Sequence, residues 1–227
     1  MQPNPTIAAL VPMRHSSERV PGKNYRLFAG KPLFYHVIEA LSNCSLITKV
    51  VIDTDSPTIK DMCAKDFPSV IVLERPEHLR DGTIPMNDVL LNITNQIQTD
   101  FYLQTHSTNP LLSAQTIGEA VALFYKSFGV YDSLFSVTRK QVRLWDSLTR
   151  PINHNQNILL RTQDLPPVYE ENSCIYIFSR DILLKHHNRV GSRPLLFEIN
   201  EIQAQDIDVE VNFKVAEFLY HETHKNS

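Results

Sequence analysis

The sequence is poor in cysteine: Cys44, Cys63 and Cys174 are the only three among 227 residues. An odd number, with no C-x-x-C pair and no accompanying histidine, argues against a disulfide framework and gives zinc no ligand set. The nine histidines include His186-His187 and the pair His221 and His224. Two imidazoles without further partners do not make a metal site, so they are read as surface residues. Excess positive charge is lacking as well. A formal net charge of −3 provides no overall field for nucleic acid, and any anionic ligand has to be held by a local cluster of cations. No apolar run reaches bilayer-crossing length. Met1 to Thr6 carries no basic segment followed by a long apolar run, which predicts a cytoplasmic protein with no membrane association. The triplets Asn43-Cys44-Ser45 and Asn92-Ile93-Thr94 are then accidental matches to a glycosylation pattern. Neither G-x-x-x-x-G-K-[ST] nor G-x-G-x-x-G occurs, so the sequence has neither a P-loop nor a dinucleotide fingerprint.

What is present is an alternating pattern. With 42% hydrophobic and 21% charged residues, the chain has the composition of a globular α/β protein, read as a single domain over residues 1–227. Thr6 to Val11 reads as a buried first strand ahead of Pro12. Lys31-Pro32 opens a helix whose Phe34, Val37, Ile38 and Leu41 repeat at helical spacing, with proline suited to the first turn. Lys49 to Asp53, Val70 to Leu73, Phe101 to Leu103, Leu134 to Val137 and Cys174 to Phe178 read as further strands. Helices are predicted after Ser56-Pro57, around Met86 to Ile97, around Ile117 to Phe124, and from Val209 to Tyr220. Strands and helices in this alternation build a mostly parallel sheet, whose ligands sit beyond the carboxyl ends of the strands. The loops after Val11, Asp53 and Leu103 are therefore the places to look. Regularity fails over residues 139–168, a proline- and asparagine-rich stretch too long for a plain connection, read as a lid, a β-extension or a dimerisation arm.

The densest chemical signal follows the first strand. Arg14, Arg19 and Lys23 share one loop with the hydroxyls of Ser16 and Ser17. A triphosphate needs several donors and positive charges close together, and arginine and lysine supply them as a planar fork and a mobile point charge. A solvated basic loop would have the same composition. Near the other end, Asp206 and Asp208 are two apart, so on extended backbone they point the same way. Together they suit magnesium, which prefers oxygen ligands beside substrate phosphates. Asp208 is equally placed to cap the last helix, and spacing alone leaves both open.

Arg14-x-x-Ser17-x-x-Val20-Pro21-x-Lys23-Asn24 followed by Ala29-Gly30-Lys31-Pro32-Leu33 closely resembles the opening signature of the acylneuraminate cytidylyltransferases. The related enzyme that activates 3-deoxy-manno-octulosonate shares part of it. Leu103-Gln104 with Pro110-Leu111, Arg161 to Pro166, Asn172 to Ile177 and Asp206-Ile207-Asp208 resemble later segments of that family, in order, from Ile7 to about Glu217. The resemblance implies a three-layer, Rossmann-like nucleotidyltransferase fold and transfer of CMP from CTP to the anomeric hydroxyl of an acidic ulosonic sugar. It implies that Arg14, Ser16, Ser17, Arg19, Lys23 and Asn24 contact the nucleotide, with Arg75 near the base. Gln104 and Arg161 would face the sugar acid, Asn172 the site floor, and Asp206 and Asp208 would hold Mg2+. Arg19 and Lys23 would stabilise the leaving pyrophosphate, and the arm would serve a homodimer.

Departures from the family pattern are Glu18 in the loop, two extra residues between Gln104 and Pro110, Asp81-Gly82-Thr83 in a stretch expected to be richer in serine, and Glu170-Glu171 ahead of Asn172. They keep two other readings open: a sugar nucleotidyltransferase for another nucleotide or sugar, and a nucleotide-binding homologue without catalysis.

Overall fold

The computed structural model describes residues 5–225. The chain begins with β1 (Ile7–Met13), passes the two-residue strands β2 (Leu27–Phe28) and β3 (Lys31–Pro32), and enters α1 (Leu33–Ser42). Next come β4 (Lys49–Thr54), α2 (Pro57–Asp66), β5 (Ile71–Glu74), α3 (Met86–Gln96), β6 (Phe101–Gln104) and α4 (Ala114–Ser127). The remainder is β7 (Ser133–Lys140), β8 (Val168–Phe178), α5 (Arg180–His186), β9 (Pro194–Glu198) and α6 (Glu210–His224). Three helix starts carry a serine cap: Ser56, Ser113 and Ser179 accept from the N–H groups of Ile59, Thr116 and Ile182 at 3.3, 3.1 and 3.3 Å. Each satisfies an amide that the helix itself cannot.

Seven strands form one sheet in the order β5-β4-β1-β6-β8-β7-β9. All neighbours run parallel except β8, which is antiparallel to both β6 and β7. The reversal matters for the site, because it delivers the start of β8 to the edge where β1 and β6 end. Strand alternation sends Ile7, Ala9, Val11 and Met13 into one core with α1, α2 and α4, and Ala8 and Leu10 into another with α3 and α5. The three-layer arrangement follows from β1 being apolar on both faces. Among the described residues no helix is long and apolar enough to cross a membrane.

Several boundaries differ from the sequence reading. The first strand runs past Pro12 to Met13, because pairing with β6 stops at Leu10 and the missing N–H interrupts no ladder there. Pro32 occupies the N-cap position of α1 and not its first turn. The strand read as Cys174 to Phe178 begins at Val168. Its first half is half-buried or exposed and carries Glu170 and Glu171, so it shows no apolar run. The short α5 and the edge strand β9 have no sequence signal strong enough to see. Residues 139–168 are ordered at both ends, since Arg139 and Lys140 lie in β7 and Val168 in β8. Between these strands the chain makes one 3-10 turn at Thr162–Asp164 and a Trp145–Pro151 bridge. This arm leaves Trp145, Leu148, Ile152, Ile158 and Leu159 in solvent, with Leu159 92% exposed.

A third, smaller core lies beyond the carboxyl edge of the sheet. Val20, Phe28, Leu33, Leu111, Ile207, Phe213 and Ala216 meet there, joining the β1–α1 loop to α6. Burying side chains such as Val20 and Ile207 is worth about 1.5–3 kcal/mol each, enough to hold two loops together that are nearly 190 residues apart.

Candidate active site

That small core explains why charge of both signs gathers at one place. Val20 and Ile207 are fully buried within it, so their neighbours Arg19 on one segment and Asp206 and Asp208 on the other are left at its rim. Lys23 follows through a turn: its N–H bonds to the Val20 carbonyl at 3.1 Å, and Gly22 adopts a φ of 64°. A side chain at Gly22 would be strained at that φ and would press on the Tyr25 ring. The Lys23 ammonium donates to the Ile207 carbonyl at 2.6 Å, and Arg19 Nη2 donates to Asp208 Oδ1 at 2.9 Å.

The resulting cleft has a volume of about 790 Å³ and is walled by Arg14, Ser16, Ser17, Arg19, Lys23 and Asn24, with Asp206 and Asp208 opposite. The sequence-predicted nucleotide loop and acidic pair therefore share one cavity. Asn24 is buried and bonded at both ends of its amide: its Nδ2 donates to the Arg14 carbonyl and its Oδ1 accepts from Ser107 Oγ, both at 2.8 Å. It ties the β1 loop to the β6 loop. Gly82 passes so close to Arg14 that a Cβ there would lie 2.6 Å from its guanidinium, so the backbone of the Asp81–Thr83 turn forms the wall beside that arginine. Asp81 caps the turn through the N–H and hydroxyl of Thr83.

Electrostatics follow burial. Desolvation holds the Lys23 ammonium below its ordinary pKa, and Asp206 and Asp208 partly restore it. Burial pushes the Asp206 carboxyl upward; a hydrogen bond from Thr108 opposes this and repulsion from Asp208 adds to it. Asp208 is exposed and does not cap α6. The N-cap is Val209, whose N–H donates to Asn212 Oδ1 at 3.1 Å. The capping alternative for Asp208 is thereby corrected: its carboxylate faces the cleft.

The other sequence-predicted residues divide. Gln104 is buried behind the cleft wall, where Nε2 meets His106 Nε2 at 3.0 Å and Oε1 accepts from Arg189 Nη1 at 2.5 Å. Asn172 lines an adjoining lobe of about 520 Å³ that shares Ser173, Asp206 and Asp208 with the main cleft. Its side chain is committed to Ser136 at 2.5 Å and Thr138 at 3.0 Å across β7. Arg75 is buried in an ion pair with Asp53 and is not among the cleft walls, so it reaches no ligand there without breaking that pair. Arg161 is bound by Asp164 at 2.7 Å within the arm and lies 73% exposed; the structure does not bring it to the cleft of its own chain. The three cysteines are buried and free, and burial pushes the Cys174 thiol up to about 12, which leaves it without thiolate chemistry.

Sequence reasoning missed His106 and Ser173 as site residues. His106 and Ser173 line the cleft. Ser173 sits at a φ of 59°, a conformation that favours glycine, and its hydroxyl is 3.1 Å from the Tyr176 hydroxyl. His106 lies in the loop after β6, a place the sheet rule indicated. Burial holds its imidazole down at about 4, with Arg189 and Lys23 next in effect. Its folded pKa lies below the unfolded value of 6.5, so the unfolded chain binds the extra proton first. Stability is then complete above about pH 6.5 and falls as pH drops toward 4. His36, also lowered by burial, acts with the same sign. His106→Gln is expected to flatten its share of the loss, read as the difference between wild-type and variant melting temperatures across pH 4–7. Parallel curves would refute this.

A family profile described as cytidylyltransferase matches residues 8–222 of the chain. CMP-N,N'-diacetyllegionaminic acid synthase of Legionella pneumophila is 31% identical over 229 residues, covering 94% of this chain and 95% of that protein. N-acylneuraminate cytidylyltransferase A of Danio rerio is 28% identical over 218 residues, covering 93% of this chain and 50% of that protein, so the chain spans about half the length of that relative. Pseudaminic acid cytidylyltransferase of Campylobacter jejuni is 24% identical, covering 96% of this chain and 97% of its own. In fold, the chain is similar to CMP:2-keto-3-deoxy-manno-octonic acid synthetase solved with CTP, with a TM-score of 0.74 at 15% identity over 96% of this chain and 99% of that one.

Proposed function

The chain belongs to the cytidylyltransferase family, and we propose that it transfers CMP from CTP to the anomeric hydroxyl of an acidic ulosonic sugar. One observation carries this reading: Arg14, Arg19 and Lys23 line the same cleft as Asp206 and Asp208. The activities for which these relatives are named support the substrate class, since legionaminic, neuraminic and pseudaminic acids are all acidic sugars.

In the proposed reaction the sugar hydroxyl gives up its proton to solvent as its oxygen forms a bond to the α-phosphorus, and the bond from that phosphorus to the bridging oxygen of the β-phosphate breaks. Pyrophosphate leaves with the electron pair. Arg14, Arg19 and Lys23 offset the charge that develops on it. In the structure Arg19 is paired with Asp208 and Lys23 with the carbonyl between the two aspartates. Phosphates entering the cleft compete for these cations and release the carboxylates.

The acidic pair fits Mg2+. It offers only hard oxygen donors, and the buried Ile207 between them turns both to the cleft. Among the described residues no set of three or more His, Cys, Asp or Glu side chains is arranged as a metal cage, which suits an ion that keeps waters and takes phosphate oxygens. Such an ion, when bound, neutralises phosphate charge and makes the sugar hydroxyl more acidic. The exposed apolar arm supports a homodimer, and we place the enzyme in the cytoplasm, where CTP is available.

Glu18 on the cleft wall favours a second reading, a nucleotide-binding homologue without turnover, because it subtracts from the positive potential. Both readings meet one assay. Purified protein with Mg2+, each of the four nucleoside triphosphates and neuraminic, legionaminic, pseudaminic or octulosonic acid should release pyrophosphate with CTP and at least one acid. The same preparation should sediment as a dimer. CTP binding without pyrophosphate release from any acid would replace the first reading by the second.

A further inference from the structure

The acidic-sugar reading, on which this inference rests, needs a cation for the sugar carboxylate, and the three cations of the β1 loop are taken by the triphosphate. Arg161, the arginine implied for that task, is held by Asp164 outside the cleft. A different arginine stands at the right corner. Arg189, in the segment between α5 and β9, lays its guanidinium carbon 3.7 Å over the Tyr176 ring and donates from Nη1 to Gln104 Oε1 at 2.5 Å. Gln104 and Tyr176 are direct partners across β6 and β8, so the two contacts fix the arginine to adjacent strands at the sheet's functional edge.

Arg189 is half-buried and forms no ion pair among the described residues. Its hydrogen bond there is the one to Gln104, whereas a guanidinium carries five N–H donors. A partly desolvated cation held by an amide oxygen and an aromatic face is prepared for an anion, since both contacts orient the fork without neutralising it. The link to the cleft is His106, which lines it and meets Gln104 at 3.0 Å. Arg189 therefore stands behind the cleft wall, one side chain removed from His106, with Gln104 bonded to both.

We infer that Arg189 is the specificity-determining residue that receives the carboxylate of the acidic sugar, exchanging the Gln104 amide oxygen for a two-pronged contact with the substrate. Gln104 keeps the guanidinium in register until the sugar arrives.

The test uses full-length wild type, Arg189→Met and Arg189→Lys with the ulosonic acid that the wild type turns over best and with its C1 carboxamide. Arg189→Met should raise KM for the acid roughly 10- to 100-fold, the range for a charge-assisted contact, with KM for CTP shifted by less than about twofold. Lysine, a point charge without the fork, should fall between. The wild type should prefer acid over carboxamide by a similar factor, and Arg189→Met should lose that preference. An unchanged KM for the acid, or a preference that survives in Arg189→Met, overturns the inference while leaving the parent activity standing. If Arg189→Met does not fold, an acid-to-amide ratio in Arg189→Lys equal to that of the wild type overturns it equally. Absence of wild-type turnover with every acid is a separate result that removes the parent reading and this one together.

Discussion

Asp208→Asn is expected to lower the rate of pyrophosphate release by about 10²-fold or more while leaving the melting temperature nearly unchanged, because a metal ion at a phosphoryl centre supplies several kcal/mol to the transition state. The two effects separate for a structural reason. The Arg19–Asp208 pair is more than half exposed on both sides, and such pairs contribute about 0–1 kcal/mol to stability. The cap of α6 is made by Asn212 on the Val209 amide, so the helix does not depend on Asp208. Asp206→Asn should act in the same direction on turnover. It should leave stability intact or slightly raised, since burial and the neighbouring Asp208 both oppose ionisation of Asp206. Steady-state rates over a Mg2+ titration, with thermal unfolding of the same samples, decide the matter. A loss of stability in proportion to the loss of rate would return Asp208 to a structural role, and an unchanged Mg2+ dependence would remove it as a metal ligand.

Lys23→Met is the second substitution with a large expected effect. Its CTP affinity should fall roughly 10- to 100-fold, the range for losing a charged hydrogen bond to phosphate. Folding should tolerate the change. Lys23 is partly desolvated at a cost that depresses its pKa, and methionine retains most of the stem without that cost. Its hydrogen bond to the Ile207 carbonyl is lost, but that carbonyl faces a cleft where water can replace the ammonium. Calorimetric titration with CTP measures the effect, and an affinity equal to wild type would take Lys23 out of the phosphate site. Arg19→Met should weaken CTP binding less, because Arg19 is more exposed and its field is screened more strongly.

The sheet and its helices were legible because periodicity is a local property. β1 is apolar at every position and α1, α3 and α4 repeat at helical spacing, so each announces itself without its neighbours. β8 shows where this stops. Its buried end, Cys174 to Phe178, was visible, and its first half was not, because pairing with β7 and not burial makes that half a strand. The arm was recognised by failed periodicity, although its termini proved to be the ends of β7 and β8.

Local sequence by itself determined the chemical inventory: a basic loop after the first strand, an acidic pair near the end, and no cysteine or glycine motif offering another chemistry. Only the tertiary structure decided which of these groups meet. Val20 and Ile207 bury themselves in one small core, and that contact carries Lys23 and Asp206 to a common cleft. Elsewhere the fold encloses Arg75 with Asp53, leaves Arg161 on the arm and brings Arg189 to Gln104. Proximity across most of a chain is set by which apolar side chains share a core, and no spacing along the sequence records that.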